Sequence, residues 1–249
     1  MDKIARSPWL LAGLFLLAAL IGAGAIVGYQ RFVPGAVDAG DKAKVERVVH
    51  DYVLEHPEII PEAMDRLRER ETGKVVAANR GAIVTPYAGA WMGNPKGDVT
   101  VVAYMDYACG YCRASLPAIA TLLEKDPNVR VVYREYPILS DESVTAARWA
   151  LAAAEQNRFK PFHDALYAAG QLSEAAIQAA AAKAGLDKAQ AEAAIKAPRV
   201  EAELRTNHQM ASQLNVSGTP SWVIGDQVVY GALGYDQLAE AVAKARKKG

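Results

Sequence analysis

The sequence predicts an α/β domain: a small mixed sheet with an inserted helical subdomain, preceded by a helical extension and an apolar amino-terminal membrane segment. Three observations carry this. Residues 99–104 and 129–133 are β-branched and aromatic runs of strand length with a helical pattern between them, so they form a strand–helix–strand unit with parallel strands. Residues 222–224 and 228–230 repeat the strand pattern around Gly225-Asp226, which reads as a hairpin. Between the two halves, residues 141–214 are helical throughout and rich in alanine. A parallel pair followed by a hairpin gives four strands, with helices on both faces.

Composition narrows the function. Of 249 residues, 51% are hydrophobic and 22% charged, which excludes wholesale disorder and collagen-like or low-complexity fibres. The 28 Lys and Arg balance 28 Asp and Glu, so no basic excess points to nucleic acid. The two cysteines cannot build a framework of disulfides or a four-cysteine zinc site.

At the amino terminus, residues 7–30 carry no charge. As a helix they would reach ~36 Å, enough to cross a hydrocarbon core. Lys3 and Arg6 place the preceding end in the cytoplasm and everything after Arg31 outside it. Ala23-Gly24-Ala25 offers a signal-peptide cleavage site, whereas the length of the run and Tyr29-Gln30-Arg31 favour an uncleaved anchor. Residues 1–35 are thus an anchor or a signal, and the bulk of the chain is extracytoplasmic, on the periplasmic side.

Residues 36–88 form the extension. After a short linker, Asp41 is a candidate N-cap for a helix with Val45, Val48, Val49, Tyr52 and Val53 at helical spacing. His56-Pro57 interrupts it, and Pro61 can start a second helix with Ile60, Met64 and Leu67 as its stripe. These helices hold too few apolar residues to fold alone, so they dock on the main domain or on copies of themselves.

Residues 89–249 form the main domain, with its helical insertion at about 140–215. Residues 89–98, rich in glycine and holding Asn94-Pro95, read as a turn. Leu116, Ile119, Leu122 and Leu123 mark the crossover helix. Asp141 and Ser143 are candidate caps for the helical block, which Asn157, Gly170, Gly185 and Pro198 divide. A last helix covers residues 235–246.

Cys109-Gly110-Tyr111-Cys112 follows a strand and opens a helix. There the free N–H groups and the positive dipole end favour a thiolate on Cys109. One turn brings Cys112 within reach, so Cys109 is the expected exposed nucleophile and Cys112 the shielded resolving thiol. Two other readings exist. A static disulfide would staple only a short ring and remove little chain entropy. A soft metal such as copper could take both thiolates, although His50, His56, His163 and His208 show no paired ligand spacing. The redox reading calls for no cofactor and no metal. A second signal, Gly218-Thr219-Pro220, leads the later strand, and its proline suits a strand's first position, in cis or trans.

With these segments the chain resembles the DsbA-like branch of the thioredoxin superfamily, in particular its exported ScsC-like members with an amino-terminal helical extension. The resemblance is carried by Val101-Val102-Ala103-Tyr104-Met105-Asp106-Tyr107-Ala108-Cys109-Gly110-Tyr111-Cys112, by Tyr133-Arg134-Glu135-Tyr136-Pro137-Ile138-Leu139, by Gly218-Thr219-Pro220, and by His56-Pro57-Glu58-Ile59-Ile60-Pro61-Glu62-Ala63 in the extension. It implies a thioredoxin-like fold with a cis peptide before Pro220, set against the cysteine pair. It also implies that the backbone at Thr219 pairs with an extended substrate segment, that Pro220 blocks metal ligation, and that Gly110 and Tyr111 tune the reduction potential. Many relatives carry a buried Glu six residues before the first cysteine, where this chain has Ala103. Asp106 is a candidate for proton handling, with a strand-end cap as its plainer reading.

The function expected is an exported protein thiol–disulfide oxidoreductase, oxidase or isomerase, working by mixed-disulfide exchange. Its partners would be thiol- or disulfide-containing substrate proteins and a membrane redox protein that resets the pair. A homo-oligomer built through the extension would favour isomerisation. The alternatives are a copper-binding protein and a membrane-tethered assembly module with a vestigial redox site.

Overall fold

The computed structural model describes residues 8–32 and 39–248. The chain divides into two compact units, residues 1–63 and 64–249.

In the first unit, α1 (Pro8–Phe32) contains an 18-residue window, Ala12–Tyr29, of mean hydropathy 2.1 with none of it buried. That length and composition suit a membrane span or a signal sequence. α2 (Ala39–Glu55) begins two residues before Asp41, which lies in the first turn instead of capping it. Val45, Val48, Val49 and Tyr52 are all exposed. His56-Pro57 ends the helix as expected, because the residue before a proline disfavours helical dihedrals. The next helix, α3 (Ile59–Ala78), starts ahead of Pro61 and continues into the second unit.

There Thr72 and Val76 of α3 are buried, and a short α4 (Arg80–Val84), absent from the sequence-based expectation, seats Ile83 in the core. The sheet has five strands, one more than expected, in the order β1-β3-β2-β4-β5. The additional strand, β1 (Trp91–Gly93), pairs antiparallel with β3 (Val129–Glu135) inside the segment read as a turn. Its end needs glycine. Gly93 has φ +89, and a Cβ there would meet the Val129 oxygen at 2.6 Å. β2 (Val99–Met105) lies parallel to β3, and the crossover between them is α5 (Gly110–Lys125). The hairpin of β4 (Ser221–Ile224) and β5 (Gln227–Tyr230) joins β2 antiparallel.

Both faces of the central strands are covered, as their near-continuous apolar sequence requires. Val101, Ala103, Met105, Val131 and Tyr133 share a core with the inner sides of α5, α6 (Asp141–Glu155), α7 (Phe159–Ala168) and α11 (Tyr235–Lys248). Val102, Tyr104, Val132 and Val223 pack on the other face with Val76, Ile83 and Met210. The insertion comprises α6, α7, α8 (Glu174–Lys183), α9 (Lys188–Ala194) and α10 (Pro198–Gln213). Asn157, Gly170 and Gly185 break it with positive φ, and Pro198 opens α10. The N-cap of α6 is Ser140, not Asp141 or Ser143; its hydroxyl accepts from the Ser143 N–H at 3.2 Å.

Arg134 bolts the second face together. Its guanidinium, 4% exposed, meets Glu203 of α10 at 2.6 Å and donates to the carbonyls of Ala82, Ile83 and Thr85 at the end of α4. Those carbonyls have no helical partner, so a buried cation with several donors satisfies them.

Candidate active site

β2 ends at Met105, and the chain turns through Asp106, Tyr107 and Ala108 into α5. Asp106 holds that turn. Its carboxylate accepts from the Ala108 N–H (2.8 Å), the Ser143 hydroxyl (2.6 Å), and the N–H groups of Ile138 (2.8 Å) and Leu139 (3.1 Å). Its own carbonyl accepts from the Cys109 N–H at 3.1 Å. Asp106 lies one residue past the end of β2. Its contacts are those of the local cap, extended to the loop after β3.

Cys109 is the N-cap of α5, with extended backbone dihedrals, and its sulfur accepts from the Cys112 N–H at 3.4 Å. The same sulfur donates to the Thr219 carbonyl at 3.2 Å. A thiol in this position faces the unpaired N–H groups of a helix end, which favour negative charge. Cys109 is nonetheless only 6% exposed, a correction to the expectation of an exposed side chain. Cys112 is fully buried, so Cys109 is still the more open of the two. Burial pushes the Cys112 thiol well up, and the neighbouring Cys109 adds to this. Tyr111 is 72% exposed, and a Cβ at Gly110 would meet nothing within 4 Å.

The partner loop comes from the far end of the chain. The Thr219–Pro220 peptide is cis, Pro220 directly precedes β4, and its carbonyl accepts from Gly231 at 2.9 Å. Trp222 fixes the hairpin from below, its indole N–H donating to the Gly231 carbonyl at 2.9 Å. Cys109, Cys112, Thr219 and Pro220 therefore meet where α5 and β4 begin. Among the described residues no group of three or more His, Cys, Asp or Glu could hold a metal ion.

Beneath the pair lies a cluster that the sequence reading left without a role. Glu135, 3% exposed at the end of β3, accepts from the Tyr107 hydroxyl at 3.4 Å, and that hydroxyl also meets His163 Nδ1 at 3.2 Å. Burial, with the Asp106 charge adding to it, holds the Glu135 carboxyl well above the usual carboxylate range. Burial also lowers His163 to about 3, so its imidazole is neutral. A signal was present in the sequence. Val131, Tyr133 and Glu135 share one strand face, and that face is buried.

Residues 100–243 match the family described as the DSBA-like thioredoxin domain. The chain belongs to this family. Residues 41–72 match the copper resistance protein ScsC N-terminal domain. A thioredoxin-like oxidoreductase from Silicibacter pomeroyi DSS-3 is 43% identical, with a TM-score of 0.65 over 68% of this chain and 98% of that one. A linker-deletion mutant of Proteus mirabilis ScsC is 25% identical, with a TM-score of 0.67 over 87% of this chain and 100% of that one. A periplasmic thioredoxin-like protein from Salmonella enterica serovar Typhimurium is 28% identical, with a TM-score of 0.59 over 68% and 95%. The chain spans only 24% and 28% of the curated relatives it matches, two Na(+)/H(+) antiporters of Salinispora arenicola and Salinispora tropica that are 31% and 30% identical to it. Its thioredoxin-like domain is a disulfide oxidoreductase domain of the DsbA-like class, with an ScsC-type segment before it.

Proposed function

We propose that the chain is an extracytoplasmic protein thiol–disulfide oxidoreductase that works through Cys109-Gly110-Tyr111-Cys112, with residues 7–30 holding it to the membrane. One observation carries this reading: the Cys109 sulfur sits at a helix N-terminus between the Cys112 N–H and the Thr219 carbonyl, with Cys112 sealed behind it. Cys109 thiolate attacks one sulfur of a substrate disulfide, and the other leaves as thiolate. Cys112 then attacks Cys109, closes the pair and releases the substrate thiol. In reverse, an oxidised pair delivers its disulfide to a dithiol substrate. The backbone at Thr219, beside the reacting sulfur, offers a substrate strand its hydrogen bonds.

In this reading residues 1–35 are the anchor or signal, residues 36–88 the extension, and residues 89–249 the catalytic domain. A membrane redox partner resets the pair. The exposed Val45, Val48, Val49 and Tyr52 stripe of α2 supports assembly of several chains through the extension. Several active sites around one substrate favour isomerisation over oxidation. The test is to compare, with one protein, the reshuffling of a scrambled disulfide substrate and the oxidation of a reduced one. Faster reshuffling by the reduced chain supports an isomerase, faster oxidation by the oxidised chain an oxidase, and activity in neither assay rejects the redox reading.

A further inference from the structure

The Cys112 proton has to go somewhere when the pair closes. The thiol is fully buried, and Asp106, the acid nearest in sequence, is already committed to four hydrogen bonds. The strand register supplies another acid. In the parallel β2–β3 ladder Ala103 pairs with Tyr133 and Met105 with Glu135. Residues two apart on a strand share a face, so Glu135 lies on the side of the sheet that packs against Cys109 and Cys112. Arg134, one residue away, points to the opposite face and its partners there.

The groups around Glu135 come from every neighbouring element. The loop before α5 supplies Tyr107, whose hydroxyl reaches Glu135, and Asp106. β3 supplies Tyr133, and α10 supplies Asn207, which binds the Glu135 backbone carbonyl at 3.1 Å. α7 supplies His163, on the other side of the Tyr107 hydroxyl, and Tyr167. Lys160 and Asp164 reach this cluster only as charges, both felt by His163 and Asp164 also by Tyr133. No cation pairs with Glu135 in any ion pair of the described residues. The Tyr167 hydroxyl donates to the Asp106 carbonyl at 3.0 Å, and its ring centroid stands 4.8 Å from that of Tyr107. His163 Nε2 has no partner among the described residues, which leaves the imidazole free to take either tautomer as the Tyr107 hydroxyl turns.

We propose that Glu135 is the proton store for Cys112, a positioning residue that acts through the Tyr107 hydroxyl and its neighbour Tyr167. The inference rests on the reading of Cys109 and Cys112 as a redox pair. When the pair closes, the Glu135 carboxylate takes up the proton of the Cys112 thiol. The sulfur lone pair forms the bond to Cys109, and the Cys109–substrate bond breaks with its electrons on the substrate sulfur. When a substrate thiolate opens the pair, the neutral carboxyl returns the proton to the departing Cys112. A raised carboxyl suits both directions, because it holds and releases a proton nearer neutrality than an ordinary one.

The test uses the full-length chain with Cys109 loaded as a mixed disulfide with thionitrobenzoate, whose release by Cys112 is followed by absorbance across a pH series. Wild type should release it and Cys112→Ser should not; if wild type fails, the redox reading itself falls. Glu135→Gln should release it on the order of a hundredfold more slowly near neutrality, with the deficit closing as rising pH ionises Cys112 directly. Tyr107→Phe should show the same closing deficit, and Glu135→Asp should recover part of the rate. A Glu135→Gln profile that overlays wild type, or lies below it by a constant factor at every pH, overturns the proposal. Should Glu135→Gln not fold, the Tyr107→Phe profile decides by the same criteria.

Discussion

The Cys109 sulfur donates to the Thr219 carbonyl at 3.2 Å, joining two loops 110 residues apart. The contact puts the reactive atom against a backbone group that an incoming strand can use. It also explains why Cys109 is largely covered despite standing at an open helix end.

The loop that presents Cys109 depends on Asp106. Replacing Asp106 by Asn keeps its size but turns one acceptor into a donor facing N–H groups. Hydrogen bonds to a charged acceptor are worth about 1.5–3 kcal/mol. Asp106→Asn should therefore lower unfolding stability in urea by about 2–4 kcal/mol and slow disulfide exchange, because the turn before Cys109 loosens. A variant as stable as wild type would mean that the four contacts carry little of the loop's energy.

Glu135 carries a stability cost with a definite pH sign. Below about pH 4.5 the folded and unfolded chains both hold its proton. Above that the unfolded chain ionises at a lower pH than the fold does, so the folded state binds more protons over that interval and stability falls as pH rises through it. Glu135→Gln should thus raise the melting temperature at neutral pH, with the gain vanishing as pH falls to the ordinary carboxylate range. Thermal melts of both proteins over that range check it, and a gain independent of pH would contradict the assignment.

Arg134 is the second buried charge with a structural load. Arg134→Met removes the cation and leaves Glu203, 14% exposed, beside the unsatisfied carbonyls of α4. Removing one partner of a buried pair costs about 3–5 kcal/mol. Urea unfolding should show a loss of that size, largely recovered for the Glu203 part by a second Glu203→Gln change. Loss of under about 1 kcal/mol would show that α4 holds its place without the bolt.

Much of the architecture could be read from periodicity. The change from helical spacing to continuous β-branched runs at residues 99–104 and 129–133 marks two strands buried on both faces. Asn157, Gly170 and Gly185 mark helix ends because only such residues take positive φ readily. β1 was not legible, because three residues bounded by glycine carry no period and are defined only by pairing with β3. α4 was hidden for a similar reason: five residues follow a longer helix, and their carbonyls need Arg134 from elsewhere.

In the site, Cys109-Gly110-Tyr111-Cys112 announces itself by its place between strand and helix, and Thr219-Pro220 by its place before a strand. The cover over Cys109 was not legible because it is made by a loop 110 residues away. Glu135 was passed over because one acid in Tyr133-Arg134-Glu135 looks like an ordinary charge until the strand's alternation is followed to its end.

The account rests on Cys109 attacking and Cys112 finishing, and trapping of the half-reaction tests it most directly. A full-length Cys112→Ser variant mixed with a small disulfide should accumulate a stable adduct on Cys109, visible as added mass, while Cys109→Ser should accumulate none on Cys112. Adducts on both cysteines at similar rates, or no adduct on Cys109, would contradict it.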